Sequence, residues 1–295
     1  MPVRWISRET VDEKRWEACT RSNPQTDSVC ARTWYLDCCG ERWDALVEDD
    51  YRAVMPVFHR KKYGINYIYP PFFTGQLGIL GQPAADVAEW IAASPKKFIY
   101  KELAFNAANR IPDNLSGRTL LHRTCLLPLN PDYVTLRSGY SQNHLRNLKK
   151  AESAGLQIIR ETEPEEVIRL FRNHRGQAKN VGYREHDYQR LLQLLHTLQQ
   201  RNAMETWGVK GPNGELCAAA FFPFVPQRYT FLFSGRSTAS EENRAMFLLM
   251  DNFIRAHAGS EAMLDFNGSN NPAVARFYLG FGAEPQEFRQ LDRWF

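Results

Sequence analysis

Residues 264–283 read LDFNGSNNPAVARFYLGFGA. Leu264, Asp265 and Phe266 alternate apolar and charged, as a strand edge does, and the chain then breaks into a polar, glycine-containing turn. Asn271 and Pro272 are an N-cap and a first-turn residue, so a short helix is predicted over Pro272–Tyr278. Polar side chains at the carboxyl ends of strands mark sites in open α/β sheets. Asp265, beside a strand core, needs a partner; it either orients a substrate amine or bonds local amides. Tyr278 stands just before Phe281-Gly282. In a cleft its phenol can protonate a departing thiolate; otherwise it is a core aromatic.

Upstream, a strand over Tyr229–Ser234 ends at Ser234-Gly235, a polar loop runs from Arg236 to Asn243, and a helix runs from Arg244 to Ala258. A helix start offers free N–H groups and a positive dipole end, where a phosphate is held without a metal. Arg236 or Arg244 adds a charge-assisted contact. Neither a Gly-Lys-Ser/Thr loop nor G-x-G-x-x-G is present, so a plain connection is the alternative reading.

Working outward, the second half predicts a strand at 156–160, helices at 163–174 and 186–200, strands at 204–210, 216–225 and 262–266, and a last strand at 286–291. Leu191, Leu194, Leu195 and Leu198 form one helical stripe. Leu216–Val225 is too apolar to face water on either side. The first half predicts a strand at 3–6, helices at 11–19 and 28–37, a hairpin of 43–47 with 52–58, strands at 64–69, 98–103 and 119–126, and a helix at 83–91. A helix over 130–152, capped by Asn130, bridges the halves. Both halves run helix–helix–strand–strand–strand–helix–strand, which predicts an α/β (mixed α+β) chain with mixed central sheets flanked by helices. The boundary is placed at 130/131: residues 1–130 form one domain, and residues 131–295 a second, opened by the basic linking helix.

Composition bounds these readings. The chain has 295 residues, is 43% hydrophobic and 24% charged, and carries a formal charge of +4. That fits one large or two medium globular domains and excludes a coiled coil or disordered tail. Six cysteines are too sparse for a disulfide scaffold. No stretch has the roughly 20 apolar residues of a membrane span, and no signal peptide is read, so a cytoplasmic location is expected. The histidines form no H-E-x-x-H or i,i+4 pair, so no metal is expected. Cys38-Cys39 is not a metal pair, and the other four cysteines are assigned to the core.

Residues Asn271–Ala283 resemble the closing helix and turn of GCN5-related N-acyltransferases. The stretch 264–283, with its Phe-x-Gly-Ser turn, and the segment 143–156 (NHLRNLKKAESAGL) resemble the FemABX-like and BioF2-like members. The resemblance implies tandem acyl-CoA N-acyltransferase folds, the N-terminal one degenerate. It further implies a metal-free N-acyltransferase with acyl-CoA (acetyl-CoA) as co-substrate, or aminoacyl-tRNA as the other donor, and a small-molecule or peptide amine as acceptor. Tyr278 takes the place of the general acid, with Asp265 as its catalytic companion. Ser234, Gly235, Arg236, Asn243, Arg244 and Asn271 would hold the donor. The family's loop pattern, Arg/Gln-x-x-Gly-x-Gly/Ala, is absent here: Ser240, Glu242 and Asn243 replace its glycines.

For the acceptor, the aromatic stretch 63–76 supplies Tyr67, Tyr69, Phe73 and Gln76, and the turn supplies Asn267. Core packing explains the same aromatics. Two other functions fit the sequence: an inactive ligand-binding relative, and an RNA-contacting protein using Arg60, Lys61, Lys62, Arg146, Lys149 and Lys150.

Overall fold

A computed structural model of the chain describes residues 2–112, 115, 118–174, 176, 182–268 and 270–294. Ser269, within the turn quoted above, lies outside them. The chain divides into two compact units, 1–123 with 286–295 and 124–285.

The first unit opens with β1 (Val3–Ser7), α1 (Glu13–Arg21), α2 (Thr33–Cys39), β2 (Trp43–Glu48) and β3 (Ala53–Lys62). Then come β4 (Ile65–Ile68), β5 (Leu80–Gly81), α3 (Val87–Ala92) and β6 (Phe98–Ala104). β7 (Arg118–Pro128) leads into the second unit, which holds α4 (Tyr133–Ser138), α5 (Gln142–Glu152), β8 (Gln157–Ile159), α6 (Pro164–Asn173) and α7 (Glu185–Gln200). It continues through β9 (Met204–Lys210), β10 (Leu216–Val225), β11 (Arg228–Thr230), β12 (Phe233–Arg236), α8 (Ala239–Asn243) and α9 (Ala245–His257). β13 (Met263–Asp265), α10 (Pro272–Leu279) and β14 (Glu284–Trp294) complete the chain.

The strands of the two units repeat one plan. The first runs β1-β2-β3-β4-β6-β14, with β5 also on β3; the second runs β8-β9-β10-β11-β13-β7, with β12 also on β10. In each, one pair is parallel, β4 with β6 and β11 with β13. The last strand of each run comes from the other half of the sequence. β14 pairs with β6 from Gln290↔Ala104 to Trp294↔Tyr100, and β7 pairs with β13 from Met263↔Pro128 to Asp265↔Leu126. The mixed α/β class and the duplicated order are as expected.

The second core forms where β10 meets α9. Cys217 through Phe222 are fully buried, as are Leu249, Met250, Phe253 and Ile254. Phe222 stacks on Phe253 with centroids 3.8 Å apart. Each large side chain so buried contributes roughly 1.5–3 kcal/mol. The leucine stripe of α7 is likewise buried.

Local chemistry moved some boundaries. The single helix expected over 130–152 is two, because Ser138-Gly139-Tyr140-Ser141 stops one and caps the next. Asp132, not Asn130, accepts from Thr135 N–H, and Ser141 Oγ accepts from His144 N–H. The helix expected over 28–37 is a 3-10 turn at Val29–Ala31 followed by α2. All six cysteines are buried thiols outside any disulfide, which agrees with core packing.

Candidate active site

β11 and β13 run side by side only briefly. Their pairing ends at Thr230↔Asp265, and Phe231 N–H still donates to the Asp265 carbonyl at 2.8 Å. Beyond that point Phe266 N–H turns to the Cys125 carbonyl. Among the described residues β12 keeps a ladder only with β10. The strands part, and β12 is left with an open edge.

A cavity of about 670 Å³ lies at this opening. Phe231, Ser234 and Arg236 line it from the strand, and Ser240, Glu241 and Arg244 from α8 and the start of α9. Met246, Phe247 and Phe171 add apolar walls, and α10 contributes Asn271, Val274, Phe277 and Tyr278. Gly235 makes the arrangement fit. A Cβ there would stand 2.5 Å from the Val167 carbonyl oxygen, so only glycine lets α6 press so closely on β12.

Tyr278 is 8% exposed, yet it is part of the cavity wall. Its ring stacks on Phe266, centroids 4.5 Å apart, and meets Phe231 edge-on at 5.9 Å. Burial pushes its hydroxyl well above the usual phenol range, helped by nearby Cys125 and Asp265. At neutral pH it therefore stays protonated and keeps a proton to donate. Asn271 performs two tasks. Its Oδ1 caps α10 by accepting from Ala273 N–H at 2.9 Å, and the residue borders the cavity.

The far mouth is polar. Arg244 has left-handed backbone, φ 61°, and joins α8 to α9. Its Nε is buried without a hydrogen-bond partner, as is Ser240 Oγ. Arg236 Nη2 lies 3.0 Å from Glu241 Oε1, which also lies 3.2 Å from His174 Nε2. Two orphaned donors beside the N-terminus of a 13-residue helix form a place for an anion. In the first unit the corresponding amides are already occupied: Ala84 and Ala85 N–H donate to the fully buried carboxylate of Glu48 at 2.9 and 2.7 Å.

Four of the six residues expected to hold a donor (Ser234, Arg236, Arg244 and Asn271) thus meet around one cavity with Tyr278. Gly235 packs against α6. Asn243 turns inward, with Oδ1 accepting from Ala245 N–H and Nδ2 against Cys217 Sγ. Asp265 is not among the cavity residues. Its carboxylate accepts from Thr124 Oγ1 at 2.6 Å and Asn267 N–H at 2.9 Å, and lies 3.7 Å from Arg228. Asn267 is a left-handed turn residue, φ 49°.

Tyr67, Tyr69, Phe73 and Gln76 belong to the first unit. The Arg60 guanidinium stacks on the rings of Tyr67 and Tyr69, 5.1 and 4.6 Å from their centroids. Tyr69 borders a cavity of only about 20 Å³. The Phe73 carbonyl accepts from the Tyr35 hydroxyl, and Gln76 Oε1 accepts from Ala107 N–H. Sequence reasoning missed Phe171, Phe231, Ser240, Glu241, Met246, Phe247, Val274 and Phe277. The amphipathic α6 signalled a buried face at Phe171 but not what that face would meet. Among the described residues, no group of three or more His, Cys, Asp or Glu is placed to hold a metal ion, and no helix is long and apolar enough to cross a membrane.

Residues 138–273 match the model of the acetyltransferase (GNAT) domain family. No curated protein matches the chain. Among solved structures it is similar to FemX, at 11% identity and a TM-score of 0.65, over 97% of this chain and 96% of that one. A conserved protein of unknown function from Bacteroides thetaiotaomicron VPI-5482 aligns at 11% identity and a TM-score of 0.62, over 99% and 100% of the two chains. A tandem GNAT protein from the clavulanic acid biosynthesis pathway aligns at 10% identity and a TM-score of 0.54, over 98% of each chain. The chain has a mixed α/β fold that matches the tandem architecture of GNAT-like proteins, and all these likenesses are distant in sequence.

Proposed function

We propose that the second unit is an N-acyltransferase that takes an acyl group from a phosphate-bearing carrier and passes it directly to an amine. Carriers of this chemistry include acyl-CoA and aminoacyl-tRNA; the acceptor is a small-molecule or peptide amine. The observation that carries this is the parting of β12 from β13 beside Tyr278.

The donor's phosphate would rest against Ser240, Arg244 and the start of α9, with its arm along the open edge of β12. Backbone N–H groups on that edge would stabilise the oxyanion. The amine nitrogen attacks the acyl carbonyl, the C–N bond forms, and the bond from carbon to the carrier's sulfur or oxygen breaks. The proton lost by the amine goes to water. Tyr278 gives its own proton to the leaving atom and is reprotonated from solvent, so charge balances and no covalent enzyme intermediate arises. Asp265, spent on Thr124, Asn267 and Arg228, is read as a positioning residue that anchors the point of divergence.

Tyr278→Phe tests this reading. Loss of a general acid lowers turnover about 100-fold or more and leaves donor affinity unchanged. Unchanged turnover would remove the acid role. Failure of every phosphate-bearing donor to bind would remove the function.

A further inference from the structure

Arg236 and Arg244 are the two guanidinium groups among the residues bordering the donor cavity, and among the described residues only Arg236 is held in an ion pair. Arg236 is held by Glu241 at 3.0 Å, and the same carboxylate oxygen is fixed from its other side by His174 at 3.2 Å. Both Arg236 and Glu241 are about half exposed, at 47% and 48%. A pair so exposed adds little to folding, so its consequence lies in the charge it leaves at the mouth. Among the described residues Arg244 has no ion pair and its Nε no hydrogen-bond partner, and Ser240, 4% exposed, keeps an orphaned hydroxyl beside it. One phosphate satisfies these groups. A second phosphate arrives at a carboxylate and at a guanidinium already neutralised.

On the reading of this cavity as a donor site, we propose that Glu241 is a specificity-determining residue. It selects a thioester whose pantetheine arm ends in a single phosphate over donors that bring further phosphates, as CoA does with its diphosphate and 3′-phosphate. An RNA 3′ end, with a phosphate at every nucleotide, meets the same carboxylate. The length of the arm is accommodated by the apolar wall of Phe171, Met246, Phe247 and Phe277, which demands no charge.

The test titrates 4′-phosphopantetheine and CoA, in parallel, into the full chain and its Glu241→Gln variant by calorimetry. Thermal melts check that the variant is folded; Glu241→Ala serves as a second variant if it is not. The unmodified chain is expected to bind 4′-phosphopantetheine at least as tightly as CoA. Glu241→Gln should tighten CoA about tenfold while moving 4′-phosphopantetheine less than threefold. CoA binding tenfold tighter than 4′-phosphopantetheine in the unmodified chain, or an affinity ratio unmoved by the substitution, overturns the role of Glu241 and leaves the donor site standing. Binding of neither compound to either chain overturns both.

Discussion

His144 Nε2 lies 2.8 Å from the backbone carbonyl of Phe277, the residue before Tyr278. The imidazole is 3% exposed, boxed in by Phe247, Phe277 and Phe281, and its Nδ1 faces Ser141 Oγ at 2.9 Å. A Cβ on Gly280 would collide with the ring at 1.9 Å. Nε2–H donates to the carbonyl and Nδ1 accepts from the serine, so the neutral ring suits both partners. The second helix of the linking segment, α5, thereby holds the helix that carries the candidate acid.

Acid should loosen this clamp. Burial lowers the His144 pKa below its usual value, so the unfolded chain binds the extra proton more readily. The contribution is fully present above the unfolded value of about 6.5 and is lost as pH falls through the lower folded value. Urea midpoints measured against pH should fall below about pH 6.5. The slope should be shallower in His144→Gln, which itself costs about 1–3 kcal/mol. Identical slopes in the two chains would show that another group governs the acid limb.

Thr124 should matter through Asp265. Its hydroxyl, 1% exposed, supplies a short bond to a buried carboxylate. Thr124→Val removes it and should cost about 1.5–3 kcal/mol, the value of a hydrogen bond to a charged group. The urea midpoint should drop with an unchanged m-value, and Thr124→Ser should restore most of it. A neutral Thr124→Val would mean that Asn267 and Arg228 suffice.

Gly235→Ala places a methyl group 2.5 Å from a helix carbonyl that cannot rotate away. Overpacking of this kind costs about 1–3 kcal/mol. Because the strain falls on the open strand, donor affinity should drop along with the melting temperature. A variant as stable as the parent would mean that α6 slides freely over β12.

Arg244→Met should behave in the opposite way. No folded-state ion pair is lost, so the melting temperature should hold. Affinity for a phosphate-bearing donor should fall roughly tenfold or more, since a charge-assisted contact is worth about 1.5–3 kcal/mol. Unchanged affinity would move the phosphate elsewhere.

Much of this was legible in the sequence because periodicity and caps report burial and helix starts directly. The run 216–225 announced a strand buried on both faces, the leucines of 191–198 a buried stripe, and Asn271-Pro272 the start of α10. That Ser234, Arg236 and Arg244 would lie near one another was legible because strand–loop–helix order brings these positions together around one cavity. What escaped depends on distant partners. β5 has two residues and exists only because Ala53 and Val54 pair with it. The strand expected over 229–234 is two strands, because it leaves β13 while staying on β10, and no side-chain pattern encodes that change of neighbour. The sharing of Glu241 by Arg236 and His174 joins residues 67 positions apart, which no local pattern encodes.

The origin of the outer strands bears on biosynthesis. β6 receives its neighbour β14 from residues 284–294, most of which belong to the first unit but are made by the ribosome only after the whole of the second. The nascent first unit therefore emerges with one flank of its sheet unsatisfied and must wait for nearly the whole chain before closing it. Removing residues 286–295 should accordingly injure the amino-terminal unit, which is remote from the cut in sequence, and expose it to aggregation during translation.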